Sequence, residues 1–291
     1  MTPLAGFRRS TIGVTGTDIA VAVAGSGPPL LLLHGFPQTM AMWHRVAPML
    51  VEHFTVVCTD LRGYGASGRP EAGADHGGYS KRAMARDQVE VMSALGFDAF
   101  AVAGHDRGGR VARRMCLDHP DRVTAAAVLD IVPTATVFAT TDQALATAYY
   151  HWFFLIQPDG LPERMIGADP RGWLGETLRR WAAPGFRFDP DALTEYERAF
   201  DDPATIHAQC EDYRAAATID LEHDAADAGQ RIGCPLLVLW GTRGAMHRIY
   251  DVLGTWRGEG MHVRGRGLDC GHFPAEEAPA ETARELLGLA P

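Results

Sequence analysis

Short apolar runs recur along this chain, and the middle members of the set are apolar at every position instead of at alternate ones. Continuous runs of this kind are typical of strands in a parallel sheet that is covered on both faces. The runs lie at residues 19–25, 29–35, 54–60, 100–106, 124–130, 235–241 and 260–265.

Segments with apolar residues at three- and four-residue intervals alternate with these runs, which predicts helices between the strands. They lie at residues 80–96, 108–120 and 279–290. Gly96 and Pro120 lie where two of these helices should end. The alternation predicts an α/β protein with a mostly parallel sheet flanked by helices, whose ligand binds beyond the carboxyl ends of the strands.

The alternation breaks between about residues 134 and 220. This segment is rich in aromatic residues and contains several helical patterns without a convincing strand. We therefore predict a core made of residues 1–133 and 221–291. Residues 134–220 are predicted to form a helical insertion that covers the ends of the strands.

The charge and composition exclude several classes of function. A formal net charge of −9 argues against nucleic acid or an anionic membrane as a partner, although local arginines can still bind a small anion. No run reaches the roughly 18 apolar residues of a membrane span, and no secretory signal is visible. The five cysteines form no CxxC pair and the twelve histidines show no metal-binding spacing. We expect a cytoplasmic protein with no metal and no cofactor.

The segment GHDRGG follows the apolar run at 100–106 and opens the next helical pattern. Gly104 and Gly108 flank Asp106 in the order small-x-nucleophile-x-small, because a strand that turns sharply into a helix leaves no room for larger side chains. The nucleophile elbow of α/β-hydrolases has this layout, usually with serine at its centre. No G-x-S-x-G occurs in the chain, so a serine esterase is disfavoured. Alternatively, Asp106 could merely cap the helix.

An aspartate at this position favours a particular chemistry. A carboxylate is already ionised at neutral pH and needs no general base before it attacks. It can displace a leaving group from a saturated carbon and form an alkyl ester with the enzyme. Hydrolysis of that ester then requires an activated water molecule.

Other segments supply the remaining parts of such a site. HGFPQ ends an earlier strand, so the backbone N–H groups of Phe36 and Arg107 are candidates for an oxyanion hole. His272 lies in LDCGHFP after the last strand, where a general base is expected. No carboxylate follows the run at 235–241, which leaves Asp130 by elimination as the acid that orients the histidine. Asp130 could alternatively cap a loop.

Taken together, several motifs resemble the fluoroacetate dehalogenases, a haloacid-specific branch of the α/β-hydrolase superfamily. They are HGFPQ, DLRGYGASGRP, GHDRGGR, LDIVPT, YHWFFLIQP, CEDYRAAATIDLEHD and GHFPAEEAP. The resemblance implies the α/β-hydrolase fold with a helical cap inserted after the sixth strand. It also implies a small anionic haloacid as substrate, no cofactor, and a homodimer.

The resemblance also implies roles for particular residues. Arg107 and Arg110 would bind the substrate carboxylate, and His151, Trp152 and Tyr213 would donate hydrogen bonds to the departing halide. An anionic nucleophile and an anionic substrate about 4 Å apart repel by about 4 kcal/mol at an effective dielectric of about 20, and two guanidinium groups offset this repulsion. The implied activity is hydrolysis of short 2-haloacids by Asp106, with His272 as the base and Asp130 orienting it.

Two other functions stay open at this point. An epoxide hydrolase would use the same Asp–His–Asp chemistry with two cap tyrosines, although paired arginines do not suit a neutral epoxide. A small-molecule sensor with the same fold would bind the ligand without turnover.

In the helix predicted at residues 108–120, Arg113 and Arg114 are predicted to lie on a solvated face.

Overall fold

Eight strands form a single mixed sheet in this computed structural model, which describes residues 3–290. The sheet order is β1-β2-β4-β3-β5-β6-β7-β8. The strands are β1 (Arg8–Val14), β2 (Thr17–Ala24), β3 (Pro29–Leu33), β4 (Thr55–Thr59), β5 (Phe100–His105), β6 (Val123–Leu129), β7 (Ile232–Gly241) and β8 (Gly260–Leu268).

The strand β2 pairs antiparallel with β1 and β4, and all pairs from β4 to β8 are parallel. The prediction of a mostly parallel sheet is confirmed, and each of the seven apolar runs corresponds to a strand. The strand β1 was missed because it is an exposed edge strand with mostly polar side chains, so it contains no apolar run.

Fifteen α-helices occur in the described residues, together with short 3₁₀-helices at Met40–Trp43 and Gly77–Tyr79. The α-helices are α1 (Ala47–Leu50), α2 (Lys81–Ala94), α3 (Arg107–Asp118), α4 (Thr134–Ala139), α5 (Gln143–Ala148), α6 (Tyr150–Phe154), α7 (Leu161–Gly167), α8 (Pro170–Trp181), α9 (Pro190–Phe200), α10 (Pro203–Ala217), α11 (Ile219–Ala226), α12 (Ala245–Ile249), α13 (Val252–Glu259), α14 (Pro274–Glu277) and α15 (Pro279–Leu287).

The central strands are buried because helices pack against the sheet. Every residue of β5 is buried, and Leu30 to Leu33 of β3 are fully inaccessible to solvent. The helix α3 packs against β5 and β6, and α13 packs against β7 and β8. Removing this apolar surface from water is the main source of stability for a sheet of this kind.

Helices α4 to α11 lie between β6 and β7, as the sequence predicts, and α11 extends beyond the predicted boundary at residue 220. In the described part of this segment there is no strand. The division into a core domain and a separate cap domain stays a prediction. No helix within residues 3–290 is both long enough and apolar enough to span a membrane.

The prediction that Arg113 and Arg114 lie on a solvated face is wrong for Arg114, which is 3% exposed. Its guanidinium pairs with Asp118 at 2.9 Å and with Asp227 at 2.6 Å. Arg113 is partly buried and pairs with Asp224 at 2.7 Å. Because α11 and the turn after it supply two of these carboxylates, the helix covers a face of α3 that looks solvated from the local pattern alone.

Candidate active site

The strand β5 turns into α3 at Asp106, which has a positive φ of 44° and a ψ of −113°. Such a conformation is strained for a residue with a side chain, and strained residues of this kind cluster at functional sites. The turn depends on the two flanking glycines. A Cβ atom at Gly104 would collide with the carbonyl of Gly108, and one at Gly108 would collide with the carbonyl of His34.

Although Asp106 precedes α3, its side chain makes no capping hydrogen bond to the helix. The carboxylate Oδ1 instead accepts the backbone N–H of Phe36 at 3.0 Å. Arg107 is the first residue of α3, so its backbone N–H is one of those that the helix leaves without an intrahelical partner. The two predicted oxyanion donors therefore lie at the loop after β3 and at the start of α3.

His272 lies after β8, and its Nδ1 is 2.6 Å from Oδ2 of Asp130. Asp130 follows β6 with a positive φ of 53°, and its Oδ1 accepts the backbone N–H of Gly241 at 2.9 Å. The Nε2 of His272 is buried without a hydrogen-bond partner among residues 3–290. The imidazole is thus oriented by one nitrogen and presents the other to the site.

The electrostatic surroundings tune both groups. Burial lowers the pKa of His272, but the hydrogen bond and charge of Asp130 and the charge of Asp106 outweigh it, so the pKa rises above its ordinary value. Burial raises the pKa of Asp106. A larger opposite effect comes from the charges of His272, His105, Arg107 and Arg110, so the pKa lies below its ordinary value. Asp106 is therefore ionised at neutral pH.

Arg107 is fully buried, and Asp212 binds one side of its guanidinium. Nε donates to Oδ2 of Asp212 at 2.9 Å, and Nη2 donates to Oδ1 at 2.7 Å and to the Asp212 carbonyl at 2.9 Å. Lys81 and Tyr64 also donate to the Asp212 carboxylate. Burial raises the pKa of Asp212, but Arg107 and Lys81 lower it well below its usual range. The remaining nitrogen of Arg107, Nη1, has no partner within the described chain.

Arg110 lies one turn along α3 and is also buried. Its Nη1 donates to the carbonyl of Val132 and to Oγ1 of Thr134, both at 2.9 Å, and its Nε has no partner in the described residues. Burial and the charge of Arg107 lower the pKa of Arg110 to about 10. It therefore keeps its positive charge at neutral pH.

His151, Trp152 and Tyr213 form an aromatic cluster next to these arginines. The His151 and Tyr213 rings are 5.7 Å apart, and those of Trp152 and Tyr213 are 6.0 Å apart. Arg107 lies 4.2 Å from the Tyr213 ring, and Arg110 lies 4.6 Å from the Trp152 ring. Cations over these ring faces are favourable, and they tie the cluster to α3.

The polar atoms of this cluster are available for a ligand. The Nδ1 of His151, the Nε1 of Trp152 and the hydroxyl of Tyr213 are all buried without a hydrogen-bond partner among residues 3–290. Burial lowers the pKa of His151 to about 3, and burial with the charge of Asp106 raises that of Tyr213. Both side chains are therefore neutral at pH 7. Unsatisfied buried donors are rare in folded proteins, so a group of them indicates a binding site.

A cavity of about 300 Å³ leads to the site. Its walls include Asp106, Asp130, His151 and His272, with Trp181 from the end of α8. The two arginines, Trp152 and Tyr213 do not line this cavity and are buried outside it.

The hydrogen bonds, ring contacts and electrostatic interactions of these side chains, together with a contact of 5.1 Å between the Phe36 and Tyr213 rings, join all nine predicted site residues into one cluster. They are Phe36, Asp106, Arg107, Arg110, Asp130, His151, Trp152, Tyr213 and His272. The sequence analysis missed Asp212, which orients Arg107. The only local signal was a carboxylate directly before Tyr213 in CEDYR, on a helix whose other faces are buried.

Comparisons with known proteins agree with the fold. The family described as alpha/beta hydrolase fold matches residues 28–279. A fluoroacetate dehalogenase from Burkholderia sp. is 50% identical and aligns over 97% of this chain and 93% of its own. A soluble epoxide hydrolase from Corynebacterium sp. strain C12 is 34% identical over 91% of each chain. A solved structure from Nostoc sp. PCC 7120, described as an alpha/beta hydrolase, is 57% identical over 98% of each chain, with a TM-score of 0.97.

Proposed function

The chain belongs to the α/β-hydrolase family, in the branch of the fluoroacetate dehalogenases, and on that premise we propose that it hydrolyses short 2-haloacids such as fluoroacetate to the hydroxy acid and halide. The observation that carries this proposal is a group of buried donors around an ionised aspartate that have no hydrogen-bond partner among residues 3–290. Two of these donors belong to the cations Arg107 and Arg110. The other three belong to neutral side chains, those of His151, Trp152 and Tyr213.

The donors divide according to the two polar ends of a haloacid. The free Nη1 of Arg107 and Nε of Arg110 suit a carboxylate, since both guanidinium groups stay charged and desolvated. The neutral donors of His151, Trp152 and Tyr213 suit a halide that gains charge as it leaves. They stabilise the developing anion by hydrogen bonds, and because they carry no charge they do not form an ion pair with the Asp106 carboxylate. A haloacid would bind between these groups, reached through the cavity beside Asp106 and His272.

In the first step, Oδ2 of Asp106 attacks the carbon that bears the halogen, since Oδ1 is bound to the N–H of Phe36. The carbon–halogen bond breaks as the carbon–oxygen bond of the ester forms, and the halide leaves with the bonding electron pair. The arginine pair fixes the approach of the substrate and offsets the repulsion between two carboxylates.

In the second step, His272 accepts a proton from water through Nε2, and the resulting hydroxide attacks Cγ of Asp106. The negative charge then develops on Oδ1, which lies at the N–H of Phe36 and near the start of α3 at Arg107. Collapse of this intermediate breaks the bond between Cγ and the ester oxygen and releases the hydroxy acid, which takes the proton from His272. Asp106 is left as a carboxylic acid and loses its proton to solvent, which restores the carboxylate. Asp130 stabilises the imidazolium that forms in between.

A single turnover in water labelled with heavy oxygen tests the mechanism. Water attacks the carboxyl carbon of Asp106, so the label should enter Asp106 first, and the hydroxy acid of that turnover should be unlabelled. The measurement is mass spectrometry of the peptide that contains Asp106 and of the product. Label that enters the hydroxy acid directly, with Asp106 unlabelled, would refute the covalent route.

The epoxide hydrolase stays the second candidate because of the relative that is 34% identical. Buried, charged Arg107 and Arg110 oppose it, since a neutral epoxide gives these cations no counter-charge. Incubation with fluoroacetate and with styrene oxide, followed by assays of free fluoride and of diol, separates the two functions. Tight haloacid binding without halide release would instead favour a sensor.

Two further predictions concern assembly and location, and the first rests on the family resemblance alone. We expect a homodimer, which size-exclusion chromatography with light scattering would detect, and a cytoplasmic location. Elution as a monomer at all protein concentrations would contradict the first.

A further inference from the structure

The loop that contains His272 is bound on both sides of that residue by a single carboxylate, Glu277 in α14. The Oε2 of Glu277 accepts the backbone N–H of Gly271 at 2.8 Å, and its Oε1 accepts that of Phe273 at 2.9 Å. The same Oε2 accepts the N–H of Ala183 at 2.8 Å. Ala183 follows α8, so Glu277 joins the histidine loop to the helical insertion.

The backbone of His272 itself is bound at both of its polar groups. Its N–H donates to the carbonyl of Trp181 at 2.9 Å, and its carbonyl lies 2.7 Å from Nε2 of His105. Glu277 thus belongs to a set of contacts that fixes where the Cα of His272 lies and how its side chain leaves the backbone. Hydrogen bonds to an ionised acceptor are stronger than those between neutral groups, so the carboxylate is the strongest member of this set.

The orientation of this loop matters for only one half of the proposed reaction. The imidazole must keep Nδ1 on Asp130 while Nε2 reaches a water molecule next to the ester carbon, and a small misorientation is costly for such a proton transfer. Displacement of the halide uses Asp106, the arginines and the halide donors instead. None of these groups shares a hydrogen bond with Glu277 in the described structure.

We propose that Glu277 is a positioning residue for His272, and that it acts in hydrolysis of the ester and not in displacement of the halide. The inference rests on the proposed function. It does not make Glu277 a catalytic residue, because the carboxylate contacts backbone N–H groups and not the substrate.

The test is Glu277→Gln, in which an amide nitrogen replaces one of two oxygens that both accept N–H groups, so at least one contact is lost. The probe is bromoacetate, a haloacid with a good leaving group, in rapid-quench single turnovers at alkaline pH, where His272 is already neutral. Halide and glycolate are measured separately. The matched control is Glu281→Gln, which removes the same charge from a partly exposed residue of α15 that pairs with Arg266.

In Glu277→Gln, halide release should stay within about twofold of the native rate, whereas glycolate formation should slow about tenfold or more, since hydrogen bonds to a charged acceptor are about twice as strong as neutral ones. The ester should accumulate on Asp106 and appear in the mass spectrum. Glu281→Gln should change neither step. If both steps of Glu277→Gln slow together, or neither changes, the proposed positioning role is wrong.

A variant with a shorter side chain at position 277 keeps the test decisive if Glu277→Gln fails to fold. Glu277→Asp keeps the charge but cannot reach all three N–H groups, so the same selective loss of glycolate formation is expected, with a circular dichroism spectrum like that of the native protein. Absence of halide release by the native protein would overturn the proposed function and this inference together. Normal native turnover with an unchanged hydrolysis step in both variants would overturn only the inference.

Discussion

Asp212 binds the guanidinium of Arg107 through three hydrogen bonds of 2.7 to 2.9 Å, across 105 residues of sequence, and leaves one nitrogen facing away. Both side chains are fully buried. The carboxylate therefore does two things: it compensates a buried cation, and it sets the direction of Nη1, the nitrogen of the Arg107 guanidinium that has no hydrogen-bond partner among residues 3–290.

Replacing Asp212 with Asn should lower the free energy of unfolding by about 3–5 kcal/mol, because it leaves Arg107 and Lys81 as buried cations without this counter-charge. Urea denaturation followed by fluorescence measures the effect. Asp269→Asn, which removes an exposed pair with Arg243, is the control and should leave the unfolding curve almost unchanged. Equal curves for native protein and Asp212→Asn would contradict the compensation argument.

Replacing His272 with Asn should permit displacement but not hydrolysis. We expect about one equivalent of halide per protein and a stable ester on Asp106, because the asparagine cannot accept a proton from water. Halide titration and intact-protein mass spectrometry measure both. Asp106→Ala should release no halide at all. Steady turnover by the His272 variant would show that another group is the base.

The two half-reactions should differ in their dependence on pH. Hydrolysis needs neutral His272, whose pKa lies above 6.5 because Asp130 outweighs burial, so hydrolysis should fail as pH drops through that raised value. Displacement needs ionised Asp106, whose pKa lies below 3.8, so it should persist to lower pH. Single-turnover halide and glycolate yields across this range measure the difference. Parallel loss of both products would contradict the assignment of the base.

Replacing Arg110 with Gln should affect haloacids more than neutral analogues. Loss of a desolvated, charge-assisted contact of about 1.5–3 kcal/mol predicts a fall in kcat/KM of about 10- to 100-fold for bromoacetate. Bromoacetamide, which has no carboxylate, should be affected much less. Arg113→Gln, on the same helix but paired with Asp224 outside the cluster, is the matched variant. An equal fall on both substrates would argue against carboxylate binding.

Glu276 is fully buried, and its Oε1 accepts hydrogen bonds from Gln38 at 2.7 Å and from Tyr196 at 2.5 Å. Burial raises the pKa of its carboxyl from 4.5 to about 8. The folded state thus binds a proton at Glu276 more tightly than the unfolded state, so the contribution of this group to stability is greatest below pH 4.5 and is lost as pH rises through about 8.

Over that range this group should remove about 3–5 kcal/mol from the free energy of unfolding. Glu276→Gln, which resembles the neutral acid, should lack this decrease, so the difference between variant and native protein should grow with pH. Denaturation curves at several pH values measure it. His272 contributes to the slope in both proteins and cancels in the comparison. A difference that does not change with pH would mean that Glu276 is ionised throughout.

Much of the fold and the candidate site could be predicted because the responsible patterns are local. Continuous apolar runs identify β3, β5 and β6, since strands covered on both faces have no solvent side to show alternation. The glycines around Asp106 indicate a sharp turn because steric clashes between near neighbours decide it. Asp130 and His272 follow strand ends, and the carboxyl ends of parallel strands meet at one edge of the sheet.

Other features depended on contacts between distant parts of the chain. The exposed edge strand β1 exists through its pairing with β2, and the polar residues of β1 contain no signal for it. The burial of Arg114 is decided by α11 and the turn after it, and the orientation of Arg107 by Asp212 in α10. From the sequence we could predict which groups are candidates for the chemistry and at which turns they lie, because steric and hydrophobic patterns act over a few residues. Local patterns did not reveal which carboxylate compensates each buried cation, because that depends on which helices pack together in the folded protein.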